Sequence, residues 1–373
     1  MKVVFISNFF NHHQAFLAKE LDVLTNHNFT FIETMPINEE RKKMGWGKET
    51  LPDYVFQAFK SKEAQEQAKK MIYGADAVIW GDCPFSYIKT RLQAKKLTFD
   101  YSERIFKTGS RVGTLLRGLK YYFRLFKYQK NHYLLCASAY AASDYNKLRL
   151  FRGRCYRWGY FPELKEYTDI HELLEGKEEN SILWVSRMIT WKHPEIPIEV
   201  ARRLKQEGYN FIMHMIGTGE LEEETKDKIR REKLEDCIKL TSTMSPQEVR
   251  KTMEKSKIFL FTSDQNEGWG AVLNESMNSA CAVVANEAIG SVPYLINKEN
   301  GCFYQNGNVE ELYEKTKYLI DHSEDATHYG RNAYFTIKEE WNAKTAAERL
   351  IQTINLIVDG LQPTWDKGPL SII

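Results

Sequence analysis

Short apolar runs of strand length alternate with stretches of helical periodicity along most of the chain. In the first half they predict strands at Lys2–Ile6, Phe29–Glu33, Ala77–Trp80, Leu97–Tyr101 and Tyr133–Ala137, with a helix near Gln14–Leu24. A second alternation predicts strands at Ser181–Val185, Phe211–Ile216, Cys237–Leu240, Ile258–Phe261 and Ala282–Ala285. Helices are expected between them near Glu195–Glu207, Glu222–Glu232, Pro246–Lys255 and Ala271–Asn278. Strands that alternate with helices imply parallel sheets, and 373 residues exceed what one such domain usually needs. The polar, acidic run Glu163–Asn180 separates the two alternations and reads as a linker. The expected organisation is α/β: a first doubly wound domain over 1–162, a linker over 163–180 and a second domain over 181–360. A tail over 361–373 follows, with Trp365 and the apolar Pro369–Ile373 available to pack back on the first domain. The two domains are expected to face a central cleft.

Composition narrows the class without changing this picture. Apolar residues make up 43% and charged residues 27%, ordinary for a soluble globular protein. No apolar run is long enough to span a bilayer, and Met1–Ile6 runs directly into polar Ser7 and Asn8, so a cytoplasmic protein is expected. Six cysteines lie far apart with no Cys-x-x-Cys pair, which predicts reduced core thiols and no metal site. The net charge of +2 hides an asymmetry: Phe85–Lys130 holds twelve Lys or Arg against Asp100 and Glu103 alone. Within 113–130, Leu115, Leu119, Tyr122, Phe123 and Phe126 recur at helical spacing among Arg117, Lys120, Arg124 and Lys127. Three readings fit: a helix lying on an anionic membrane, a core helix with solvated cations, or a site for an anionic acceptor. Nucleic-acid binding is not expected, because nothing else in the chain joins the basic segment.

The candidate chemistry lies in the second half. Glu267 and Glu275 flank a glycine-containing loop that follows the run Ile258–Phe261 and enters a helix, where an anion is favoured. Arg187 and Lys192, five residues apart after the strand ending at Val185, suit a diphosphate: a bidentate fork and a point charge. Gly217 and Gly219 follow another strand, where small residues permit close approach of a flat ring or a phosphate; plain turn chemistry explains them equally well. The third glycine of a dinucleotide fingerprint is absent, which disfavours a nicotinamide oxidoreductase.

Taken in order, Val185-Ser-Arg-Met-Ile-Thr-Trp-Lys192, Ile216-Gly-Thr-Gly-Glu-Leu221, Ser245-Pro-Gln-Glu-Val249, Glu267-Gly-Trp-Gly270 and Glu275-Ser-Met277 resemble the C-terminal domain of family-4 retaining glycosyltransferases, which have two Rossmann-like domains in the GT-B architecture. The resemblance covers roughly 180–319. It implies that Glu267, Arg187 and Lys192 are catalytic, the two cations holding the donor diphosphate. It further implies that Gly217, Gly219, Thr243, Met244, Gly268, Trp269, Gly270 and Ala271 line the donor site, and that Glu275 accepts from the ribose hydroxyls. The implied donor is a nucleoside diphosphate sugar, UDP or GDP first, with no cofactor and no metal. The acceptor is a glycan or a lipid-linked glycan, and an epimerase or a non-catalytic scaffold on the same architecture is the alternative.

The chain departs from the family pattern at Ser186, His193 and Trp269, and more seriously in the N-terminal loop Ser7-Asn-Phe-Phe-Asn-His-His-Gln14, where a glycine pair is expected. Either His12 or His13 binds acceptor or sugar there, or Asn11 is a polar helix cap. Phe99-Asp-Tyr-Ser-Glu-Arg104 lacks the histidine of many relatives, leaving Glu103 and Arg104 as acceptor-side candidates.

Overall fold

The computed structural model describes residues 1–37, 50–107 and 111–373. The chain forms two compact units, Met1–Glu163 with Trp341–Ile373, and Leu164–Glu340.

The first unit is built on strands Val3–Ser7 (β1), Phe29–Glu33 (β2), Val55–Gln57 (β3), Ala77–Trp80 (β4), Thr98–Ser102 (β5), His132–Cys136 (β6) and Cys155–Arg157 (β7). They form one parallel sheet in the order β3-β2-β1-β4-β5-β6-β7. The central β1 is buried at every position, because helices cover both faces of a doubly wound sheet. The sheet turns direction between β1 and β4, so the loops after their C-terminal ends lie side by side, and Asn8 donates to Asp82 across them at 3.2 Å. Arg91 is fully buried and donates to the carbonyls of Ile72, Ala75, Asp76 and Leu97 and to Thr98 Oγ1. It therefore belongs to the core and not to the basic surface that composition suggests.

In the second unit, Glu178–Val185 (β8), Ile212–Ile216 (β9), Ile238–Thr241 (β10), Ser256–Phe261 (β11), Ala282–Asn286 (β12) and Gly301–Tyr304 (β13) pair in parallel in the order β10-β9-β8-β11-β12-β13. Its core joins Ile182, Trp184, Met213, Met215, Ile258 and Leu260 of the central strands to Ile198, Ala201 and Leu204 of the helix Glu195–Gln206. The helix Pro246–Lys255 starts with a capping box, Ser245 accepting from Glu248 N while Glu248 accepts from Ser245 N.

Two expectations about organisation differ from the structure. The polar run 163–180 is an ordered part of the second unit: Lys165 and Asn278 exchange two hydrogen bonds, Ile170–Glu175 is helical, and β8 begins at Glu178. Lys177, buried, donates to the carbonyls of Met253, Glu254, Ser256 and Ser279. Hydrogen bonds, not apolar periodicity, order this stretch. The helix Ala343–Val358, expected with the second domain, packs in the first unit on the helix His12–Leu24. The tail then follows the edge of β7, with Leu370 N donating to Arg157 O, Arg157 N to Ser371 O and Ile373 N to Cys155 O.

Candidate functional site

Every strand of the second sheet points the same way, so the loops after β8 to β13 emerge along one edge. Thr243 and Met244 follow β10, Gly217 and Gly219 follow β9, Arg187 and Lys192 follow β8, and Glu267 follows β11. Motifs far apart in the chain thus become neighbours, and β8 beside β11 is where the strand order reverses.

Across that reversal point Lys192 Nζ and Glu267 Oε2 form an ion pair, with both side chains mostly withdrawn from solvent. The loops that carry them are tied by Thr262: its hydroxyl receives Trp184 Nε1 at 2.9 Å and donates to the Lys192 carbonyl at 2.7 Å. Asp264 N donates to Trp191 O at 3.0 Å, and Glu267 N to Asp264 O at 3.0 Å. The guanidinium of Arg187 stands 5.7 Å from the ring centroid of Trp191, the residue before Lys192. Sequence reasoning assigned Lys192 and Glu267 separate tasks and missed their direct contact, because nothing in the spacing reports which loops meet.

His193 is a further residue that the sequence pattern undervalued. It adopts a left-handed conformation (φ 53°, ψ 58°) where the family pattern has glycine. Its Nδ1 lies 2.8 Å from Glu195 Oε1 and its Nε2 3.4 Å from Asp264 Oδ2. The hydrogen bond to Glu195 raises the imidazole pKa, against burial, and Asp264 adds to the rise. A raised folded pKa contributes stability that is complete below about 6.5, the unfolded value, and is lost as pH rises through the folded value. In His193→Gly, relief of the left-handed backbone and the gain in chain freedom nearly cancel. The variant should therefore melt below the parent at about pH 6, by no more than about 1 kcal/mol, and match it at about pH 8.5. A difference that stays constant with pH would refute the ion-pair account.

Gly217 and Gly219 make close approaches to the neighbouring loop. A Cβ on Gly217 would overlap the Ser186 carbonyl, and one on Gly219 the Met188 carbonyl, at φ of 149° and 156°. They let β9's loop close on the turn that presents Arg187, which gives both glycines a reason in turn geometry. Gly219→Ala should cost about 2–4 kcal/mol in urea unfolding, from overpacking plus backbone strain. Gly270, at φ 82°, is required because a Cβ would strike the Phe261 ring. The Trp269 indole is fully buried and donates to Asn274 Oδ1 at 2.8 Å, while its carbonyl accepts from Ser291 Oγ at 2.6 Å. Gly268 is buried and Ala271 half-buried just before the helix Val272–Asn278. Glu275 is half-buried in the first turn; burial pushes its carboxyl up, opposed by the positive charge of Arg250. Arg250 donates to the Glu275 carbonyl and to Asn278 Oδ1, so it holds this helix from its far end.

The acceptor-side candidates divide. Asn11 is a helix cap, its Oδ1 accepting from His13 N at 3.0 Å. The His12 and His13 rings lie 3.8 Å apart, and His13 stacks on Tyr160 at 5.8 Å. Tyr160 OH donates to Glu103 Oε1 at 2.6 Å, and Lys107 Nζ reaches Glu103 Oε2 at 3.0 Å. The folded chain thus brings His12, His13 and Glu103 into one cluster at the C-terminal ends of β1 and β5. Burial, then the neighbouring His12, holds His13 down to about 3, and burial lowers His12, so the pair offers neutral imidazoles. Neutral rings suit hydroxyl groups better than anions. Arg104 lies elsewhere: it faces Asp144 at 3.8 Å and the Tyr140 ring at 4.8 Å. Its guanidinium is thus engaged with the start of the helix Ala141–Lys147.

Residues 166–335 match the family of glycosyl transferases group 1. Over 206 residues the chain is 28% identical to the amylovoran biosynthesis glycosyltransferase AmsK of Erwinia amylovora, covering 53% of this chain and 49% of that protein. It is 27% identical over 195 residues to the poly(ribitol-phosphate) alpha-N-acetylglucosaminyltransferase of Staphylococcus aureus, covering 52% and 39%. The chain thus spans about half the length of the curated relatives it matches, or less. HepE of Anabaena, solved in complex with UDP, shares the fold at a TM-score of 0.70 and 14% identity, over 95% of this chain and 100% of that one. The two parallel sheets are those of the GT-B fold, and within them residues 166–335 are similar to the group 1 glycosyl transferases.

Proposed function

We propose that the chain moves a sugar from a nucleoside diphosphate sugar, UDP or GDP first, to a hydroxyl of a glycan or lipid-linked acceptor, with retention at the anomeric carbon. The observation that carries this reading is the Lys192–Glu267 ion pair, set at the C-terminal edge of a doubly wound sheet where its strand order reverses. The UDP bound to HepE and the N-acetylglucosaminyl transfer named for the staphylococcal relative support the donor class. An ammonium has three N–H donors, so Lys192 can keep Glu267 while reaching the donor phosphate. Arg187 provides the second cation, and Glu275 the acceptor for ribose hydroxyls.

In this mechanism the bond between the anomeric carbon and the phosphate oxygen breaks, and its electron pair stays on the phosphate. Lys192 and Arg187 stabilise that growing charge. The acceptor oxygen bonds to the anomeric carbon on the same face, and its proton passes to the departing phosphate oxygen. Glu267, held by Lys192, orients the sugar and forms no covalent bond. Two protein cations supply the charge, so no cofactor is invoked. The acceptor chemistry fits surface polysaccharide or cell-wall glycan assembly in the cytoplasm, at the inner face of the membrane.

A thermal-shift screen of UDP-, GDP- and ADP-sugars tests the donor, since a ligand of the folded state raises the melting temperature by mass action. Stabilisation by one donor, followed by transfer with retained configuration in the product NMR spectrum, is expected. An epimer formed from donor alone would replace the transferase by an epimerase. No stabilisation by any nucleotide diphosphate would leave a non-catalytic scaffold.

A further inference from the structure

The helix Arg111–Leu125 shows its apolar side to solvent. Val112, Leu115, Leu116, Leu119, Phe123 and Phe126 are between 42% and 74% exposed. At 3.6 residues per turn these six positions fall within an arc of about 100°, one continuous stripe. The opposite side faces the protein. Leu125 is fully buried, a Cβ on Gly118 would come 3.2 Å from Leu148 and 3.4 Å from Phe106, and Tyr121 meets Tyr145 edge-on at 5.7 Å. Two of the cations are anchors: Arg124 lies over Trp80 and Phe85 at 4.6 and 4.9 Å, and Arg117 donates to Ile105 O at 3.0 Å. The reading of a core helix with solvated cations is thereby overturned, because the residues meant to form its buried face are the exposed ones.

We infer that this stripe is a docking surface for an anionic lipid bilayer. A continuous exposed apolar patch marks an interaction site, and its charged border selects the partner. Lys120 is exposed beside the stripe, and Lys127 and Lys130 are exposed just beyond the helix. No Asp or Glu occurs from Arg104 to Ser143. A second copy would set these lysines against the same lysines, with no carboxylate in the segment itself to pair them, which disfavours self-association through this face. An anionic leaflet satisfies both features: the apolar residues enter the boundary between headgroups and chains, and the lysines meet the lipid phosphates. Among the described residues no helix is long and apolar enough to cross a membrane, so the surface acts by lying on the bilayer. The inference stands on this helix and does not depend on the transfer reaction.

Cosedimentation of the full chain with vesicles tests it. The chain should bind phosphatidylcholine vesicles containing about 30% phosphatidylglycerol, bind pure phosphatidylcholine at least about tenfold more weakly, and be released by salt. Phe123→Ser with Leu116→Ser should lower binding at least about tenfold. Lys120→Ala and Lys127→Ala should each lower it about fivefold. Unchanged circular dichroism and melting temperature would show the variants folded. Equal binding to neutral vesicles, no binding to either, or wild-type binding by the folded variants would overturn the inference. A dimer in light scattering that the Phe123 and Leu116 changes dissolve would assign the surface to a second copy instead.

Discussion

Lys192→Ala is expected to lower kcat/KM by about 10²–10³, the loss of about 2.7–4 kcal/mol that follows removal of a donor aimed at developing charge. The loss should fall on kcat, because the charge on the leaving diphosphate is larger in the transition state than in the bound donor. Stability should fall too, since Glu267 would be left withdrawn from solvent without its ammonium. For fully buried pairs that penalty is about 3–5 kcal/mol. Here the side chains retain 11% and 15% exposure, so the lower end applies. Steady-state kinetics with the donor found by thermal shift, set beside urea unfolding, separate the two effects. A rise in KM at unchanged kcat would mean that Lys192 merely binds the donor.

Glu267→Gln should be the second large effect, a fall in kcat of about 10²-fold or more with the fold intact. The amide oxygen can still receive Lys192 Nζ, so the loops after β8 and β11 stay tied through Thr262 and Asp264. What is lost is the negative charge that holds the ammonium in place and orients the sugar. Since Lys192 and Glu267 act as one unit, the double variant should be scarcely slower than the worse single variant. Additive losses would separate the two residues into independent roles, and near-parental transfer by Glu267→Gln would remove the carboxylate from the mechanism.

Much of the frame was legible before any coordinates. The strands predicted at Phe29–Glu33 and Ala77–Trp80 have those bounds in the fold, and the others lie within a few residues of their predicted limits. Fully buried strands announce themselves as unbroken apolar runs. The strands that escaped notice are β3, β7 and β13, only three or four residues long, where Val-Phe-Gln, Cys-Tyr-Arg and Gly-Cys-Phe-Tyr give no such run. The ordered stretch before β8 escaped for a different reason, since its hold on the second unit is the Lys177 ammonium and the Asn278 amide, which no periodicity reports.

By itself the amino-acid sequence determined that two parallel sheets would form and which loops would carry Arg187, Lys192, Glu267 and Glu275, because local apolar patterning and glycine placement act over a few residues. Only the tertiary structure decided that Lys192 meets Glu267, that His193 bridges Glu195 and Asp264, and that the Trp269 indole turns inward. It alone turned the apolar stripe of 112–126 outward. These outcomes depend on the order in which strands pair and on which side of a helix finds partners. Both are set by contacts between residues distant in the chain.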